Sequence, residues 1–376
     1  MPPNVLPPVV PTVPDEQPPG LPVKTPVVRK KLLFMLGGLL AALFIILIAA
    51  GVWYQLQLRP VDATTTTKQR VTIQTGTSLG GIAQLLTQKK LIRSSIAFDV
   101  YIRLHGLRPR LQAGVYSLAP SESTADIVAH LVGGKTDDFT ITFYPGATLT
   151  DNSSTPDSKK VDVTHVLLRA GYSKEEIAAA LAKTYDSPLF ADKPAGTTLE
   201  GYIYGETYQF QSGASVEEIL TRTFAEFYGQ LQKYHIIEGM QAQGLSLYQG
   251  ITLASIIQRE VSNPADQRQV AQIFYLRLHQ NMPLGSDVTA YYGADSIGAP
   301  RSVNVDTLYN TRLHAGLPPG PIAVPGLGAL QAVAQPAPGD YLYFLSGDDG
   351  KTYYAHTNEE HEQNIINHCQ VKCSGA

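Results

Sequence analysis

The chain has 376 residues, 44% of them hydrophobic, which allows one or two folded domains beside a tail and an anchor. Its net charge is −3, and no face or run carries the basic excess that nucleic-acid binding needs, so that class is excluded. Only two cysteines, Cys369 and Cys373, are present, so the fold is not a disulfide framework; tail disulfide, free thiols and no role all stay open for them.

Residues 1–28 hold ten prolines and few charges, the composition of a disordered or polyproline-like cytoplasmic tail. Arg29, Lys30 and Lys31 follow, and then Leu32 to Val52 runs without a charge. A helix of that length spans a hydrocarbon core of about 30 Å. Trp53 and Tyr54 suit its interface, so residues 29–54 are expected to be a transmembrane helix. The basic cluster precedes the span, which predicts a cytoplasmic N-terminus and places everything after about residue 55 outside.

Residues 55–69 form a polar, Thr-rich linker. Residues 70–146 alternate strand and helix signals: Val71–Gly76 and Leu111–Leu118 as strands, Ser78–Ile92, Ser94–Gly106 and Ser123–Gly134 as helices, and Phe139–Gly146 as a further strand. Strand, helix, helix, strand resembles a LysM-type module. Residues 147–376 make a second, larger α+β unit: a loop over Thr150–Lys160, a capped helix over Ser173–Tyr185, an aromatic loop over Thr198–Phe210 and a long amphipathic helix over Ser215–Lys233. Short strands such as Asp340–Leu345 follow a Gly- and Pro-rich stretch, and a last helix starts near Asn358. The fold class is therefore α+β behind one N-terminal membrane helix.

Leu247–Ser262 is the helix on which chemistry is expected. Leu247, Ile251, Ala254 and Val261 share one side; Leu253, Ile256, Ile257 and Glu260 share roughly the opposite one. Apolar groups on both sides predict a largely buried helix with Ser246 as its N-cap. Glu260 then ends an apolar face, where desolvation raises a carboxyl pKa and suits it to general acid work. A Glu–Arg pair or an exposed last turn is the structural alternative. Asp287, Glu200, Glu206 and Glu360 are the other carboxylates considered as partners, each individually better explained as a cap, turn or ion pair. No P-loop, dinucleotide fingerprint or nucleophile elbow is present. His356 and His361 are five apart, out of phase for a helical zinc pair, so no metal and no cofactor are expected.

The blocks LASIIQRE (Leu253–Glu260), LEGYIYGETYQF (Leu199–Phe210), MPLGSDVTAYYG (Met282–Gly293), LYNTRLHAGLPPGPIAVPG (Leu308–Gly326) and GKTYYAHTNEEH (Gly350–His361) stand in this order. They resemble the YceG-like endolytic murein transglycosylases. The resemblance covers roughly residues 70–365 and implies a lytic transglycosylase of peptidoglycan, with Glu260 on the catalytic glutamate. Glu260 would protonate the MurNAc–GlcNAc glycosidic oxygen. The sugar's own C6 hydroxyl would capture the oxocarbenium-like centre, and Glu260 would then take its proton, leaving a 1,6-anhydro-muramyl end and terminating strand elongation. Only one carboxylate is needed, because the nucleophile belongs to the substrate. The resemblance further implies Ser286, Asp287, Tyr291, Asn310, Glu360 and His361 as substrate-cleft residues. It implies peptidoglycan strands and the membrane as partners, with penicillin-binding proteins or other cell-wall synthases as protein partners. Gly285, Val288, Thr352, Gly205 and Leu276 depart from the family pattern. Those at Gly285, Val288 and Thr352 favour the alternative of a catalytically weak peptidoglycan-binding scaffold.

Overall fold

The protein is represented by a computed structural model that describes residues 27–134, 138–151, 156, 159–211 and 213–373, without the side chains of 27–34. The tail expected over residues 1–28 lies almost wholly outside the described residues, as do parts of the loop at 150–160. Two units are separately compact, residues 1–59 and Pro60–Ala376. The first contains α1 (Val27–Gln57), one continuous helix. Its stretch Met35–Gln57 is long and apolar enough to cross a membrane.

The second unit holds two hydrophobic cores. The smaller is built by β1 (Gln69–Ile73), α2 (Leu79–Gln88), α3 (Ser95–Leu104), β2 (Gly114–Leu118) and α4 (Thr124–Gly133). Strands β1 and β2 pair antiparallel with Val71 opposite Tyr116. Their period-2 pattern turns Val71, Ile73, Tyr116 and Leu118 onto Leu86, Phe98, Ile102 and Leu131. Ser78, Ser94 and Ser123 each cap a helix by accepting a backbone N–H three residues on, which sets where α2, α3 and α4 begin.

β3 (Asp138–Thr142) was expected to close this small module. It pairs instead with β4 (Thr207–Gln211), and Ile141 and Phe143 belong to the larger core. The aromatic loop expected over Thr198–Phe210 therefore ends in a strand. Its partner is 65 residues away at Thr142–Thr207, beyond any local signal.

The larger core is built by α5 (Val163–Arg169), α6 (Lys174–Ala182), α7 (Val216–Lys233), α8 (Ile236–Ala242), α9 (Leu247–Glu260), α10 (Pro264–His279), α11 (Asp287–Ser296) and α12 (Leu327–Ala334). The hairpin β5 (Tyr343–Ser346) and β6 (Thr352–Ala355) and then α13 (Asn358–His368) complete it. Helix α9 lies at its centre, against α8, α10, α11 and α12. Ser246 caps it in a reciprocal box with Gln249. Leu247, Ile251, Leu253, Ala254, Ile256 and Ile257 are all buried, on both sides of the helix, as the periodicity predicts. At roughly 1.5–3 kcal/mol for each buried Leu or Ile, the surroundings fix this helix far more firmly than its own propensity. Beyond α13, Cys369 and Cys373 form a disulfide, which resolves the alternatives left open for them.

Candidate active site

The buried helix α9 delivers Glu260 at its last residue, where the core ends and the residue as a whole is half-buried. Ser286 Oγ donates to Glu260 Oε1 at 2.5 Å. Burial pushes the Glu260 carboxyl up to about 7, opposed first by the Ser286 hydrogen bond. Asp287 nearby pushes the same way as burial, while Arg277 and Arg259 pull down. At neutral pH this carboxyl is thus divided between acid and base forms, with Oε1 engaged by Ser286.

Ser286 is held by a web of backbone and hydroxyl groups. It is 2% exposed. Its N–H donates to Thr311 Oγ1 at 3.2 Å, and its carbonyl accepts from Thr289 Oγ1 at 2.7 Å. The Thr289 hydroxyl has spent its proton on Ser286, so the 2.8 Å contact between the two threonine hydroxyls is donated by Thr311. Gly285 N–H donates to the Thr311 carbonyl at 2.9 Å. Gly285 has φ +68°, a conformation that favours glycine, and a Cβ there would stand 2.9 Å from Arg277 Nη1. The departure at this position is therefore matched to this chain's own backbone.

Arg277, in the last turn of α10, ties three segments together. Its Nη1 donates to the Leu284 carbonyl at 2.6 Å and its Nε to the Leu342 carbonyl at 2.7 Å. Its guanidinium lies over the Tyr343 ring at 5.2 Å. It braces the turn that carries Ser286 and lowers the Glu260 pKa. The sequence reading missed it, since a basic residue in a last turn reads as a partner for the helix dipole.

The other expected site residues separate into two groups. Asp287 opens α11 beside Glu260, half-exposed, and accepts from Arg312 Nη1 at 2.6 Å. His361 packs on Tyr343 with ring centroids 5.3 Å apart, and burial and then Arg277 hold its pKa below the usual imidazole value. Tyr291 sits half-buried on α11, within electrostatic reach of Arg301. Asn310 is fully buried and gives both amide protons to the Val303 and Val305 carbonyls, while its Oδ1 accepts from Arg312 N–H. It braces a loop and presents no free amide group to a ligand. Glu360 accepts from His356 N–H at 2.8 Å at the start of α13, with its side chain exposed. The stretch around Asp287, for which the sequence predicts no element, is the helix α11.

Among the other carboxylates, Glu206 is exposed. Glu200 is 6% exposed, and burial raises its pKa to about 7. Both its oxygens accept from Leu149 N–H at 3.1 Å, and Tyr292 OH donates to Oε2 at 3.3 Å. It floors a cleft of about 350 Å³, whose wall includes Arg259, Tyr292 and Arg301. Tyr292 belongs to α11, so Glu200 steadies the helix whose start holds Ser286.

A pH dependence follows for Ser286→Ala. The lost hydrogen bond favours the ionised carboxylate, so its removal raises the Glu260 pKa further above the ordinary range. The acid form then persists to higher pH. The descending alkaline limb of kcat/KM, expected near pH 7 in the wild type, should move upward in a pH–rate profile. An unmoved or lowered limb would show that Ser286 does not tune this acid.

The YceG-like family model matches residues 71–367 of the chain. Over 357 residues the chain is 28% identical to a protein of Streptococcus pneumoniae serotype 2 named endolytic murein transglycosylase, a match covering 88% of this chain and 64% of that protein. The chain thus spans less than two thirds of the length of that relative. Over 324 residues it is 30% identical to a protein of the same name from Bacillus subtilis, covering 81% of this chain and 86% of the relative. A yceG-like protein of known structure from Listeria monocytogenes is 30% identical at a TM-score of 0.48, covering 79% of this chain and 98% of its own.

Proposed function

The chain belongs to the YceG-like family, and from that premise we propose that it is an endolytic transglycosylase of peptidoglycan, anchored to the cell membrane by α1. The observation that carries this reading is the state of Glu260. A carboxyl that burial pushes up to about 7, on a half-buried residue with one oxygen engaged by Ser286, suits a residue that must first give and then take a proton. Asp287, the carboxylate beside it, is occupied by Arg312. A reaction whose nucleophile comes from the substrate fits this arrangement better than a two-carboxylate hydrolysis.

In the proposed reaction protonated Glu260 donates to the bridging oxygen of the MurNAc–GlcNAc bond. The C1–O bond breaks and its electron pair stays on the departing oxygen. The C6 hydroxyl of the same MurNAc attacks C1, and its proton passes to the Glu260 carboxylate. Glu260 ends as it began, no water is consumed, and the strand end is a 1,6-anhydro sugar. Asp287 and His361 are assigned to the substrate cleft, with Tyr291 at its edge. The two-stranded, two-helix module of β1 to β2 is read as LysM-like, and cell-wall synthases are the protein partners the reading implies. Mass spectrometry of digested glycan strands tests the chemistry: anhydro-muramyl ends are expected, and ordinary reducing ends, or no new ends, would refute it. A catalytically weak scaffold is the second reading. It is favoured by Gly285 and Val288 beside the acid, and it predicts binding to glycan strands without new ends.

The orientation proposed for α1 places Pro60 and everything after it outside the cytoplasm. A phosphatase reporter fused after residue 60 is expected to be active in cells, and a reporter active only in the cytoplasm would reverse the assignment.

A further inference from the structure

Helix α3 packs Ala97, Phe98 and Ile102 into the small core and turns a second apolar stripe outward. Ile96, Val100 and Leu104, four residues apart, are 66%, 37% and 71% exposed. A helix this short with apolar groups on both faces has one of them unpartnered. The charges around it are equally one-sided. Between residues 89 and 110 stand Lys89, Lys90, Arg93, Arg103, Arg108 and Arg110 against the single acid Asp99, a net charge of +5 in a chain that totals −3. This local excess corrects the reading that no run of the chain is markedly basic.

The stretch is also tethered. Arg93, just before the Ser94 cap of α3, donates from Nε and Nη2 to the Pro60 carbonyl at 2.9 and 2.7 Å and to the Val61 carbonyl at 3.2 Å. Only Leu58 and Arg59 separate Pro60 from the last residue of α1 in the sequence. Pro60, three positions after the end of α1 in the sequence, is thus held by the residue that precedes the cap of α3.

We propose that α3 lies on the membrane surface, with Ile96, Val100 and Leu104 in the headgroup region and the flanking lysines and arginines on anionic phospholipid. Exposed apolar side chains ringed by basic ones are the composition of an interfacial helix, and anionic headgroups supply the complementary charge. Docking of this kind would fix the height of the small module above the bilayer. The inference rests on α1 spanning the bilayer and is independent of the reaction assigned to Glu260.

The test uses the full chain carrying Leu104→Cys labelled with an environment-sensitive fluorophore, reconstituted in vesicles of phosphatidylcholine alone or mixed with phosphatidylglycerol. Flotation of the protein with the vesicles verifies insertion of α1; failure to float overturns the proposal at its premise. A blue-shifted emission and several-fold stronger quenching by nitroxide lipids are expected in the anionic vesicles. Both should be lost at high salt and in the triple variant Lys90→Glu, Arg108→Glu, Arg110→Glu. A solvent-like signal in both vesicle types refutes the proposal. So does a signal that changes only when soluble glycan-strand fragments are added, which would make the stripe a sugar-binding face.

Discussion

Glu260→Gln is expected to lower the production of anhydro-muramyl ends about a thousandfold while leaving the fold intact. The amide keeps the shape of the carboxyl and can still accept from Ser286 Oγ, as Glu260 does in the wild type. It has no proton to give to the glycosidic oxygen and cannot take one from the C6 hydroxyl, so both halves of the proposed reaction fail. General acid–base groups contribute about 10²–10⁴-fold, and one residue performing both roles belongs toward the upper part of that range. The measurement is the rate of appearance of anhydro ends, beside an unfolding curve for each protein. An unaltered rate with an unaltered fold would remove Glu260 from the chemistry. A variant that loses activity and unfolds early would instead mark Glu260 as structural.

The second large effect concerns stability. Gly201 has φ +81°, and a Cβ placed on it would stand 2.3 Å from Pro321 Cβ and 3.3 Å from the Ala323 carbonyl. The turn after Glu200 is thus pressed directly onto the Pro-rich block that follows Asn310. Gly201→Ala combines backbone strain of about 1–2 kcal/mol with overpacking of about 1–3 kcal/mol, a loss of about 3 kcal/mol in urea unfolding. Gly196 is the comparison. Its φ is +80°, but nothing lies within 4 Å of the position its Cβ would take. Gly196→Ala should therefore cost the strain alone. Equal losses in the two variants would show that the contact with Pro321 does not matter.

The parts of this protein that could be read from its sequence are those set by short-range periodicity. The apolar run of α1, the two buried faces of α9 and its serine cap all follow from residues within one or two turns of each other. The strand β4 was read as loop because its partner β3 is about sixty residues earlier in the chain. Helix α11 was missed because Ser286 and Asp287 look like turn residues and Gly293 interrupts its helical pattern. The site divides the same way. Glu260 was legible as an awkward carboxylate on an apolar face. Its relation to Ser286 was not, because the two are 26 positions apart and the contact depends on Thr311 holding the Ser286 turn. Asn310 and Glu360 fall in blocks that resemble the family; neighbouring carbonyls take both amide protons of Asn310, while Glu360 gives one oxygen to His356 N–H and keeps an exposed side chain.

The grip of Arg277 on Leu284 and Leu342 bears on the order in which the molecule comes into being. Glu260 precedes Leu342 by 82 residues. During synthesis the acid emerges first, then Arg277 and Ser286, and only much later the carbonyl that fixes the guanidinium. Until β5 arrives, Arg277 lacks one acceptor and its aromatic neighbour, so the turn bearing Ser286 is held from one side only. A half-emerged chain beside the cell wall it is proposed to cut would thus carry its acid but not its finished site.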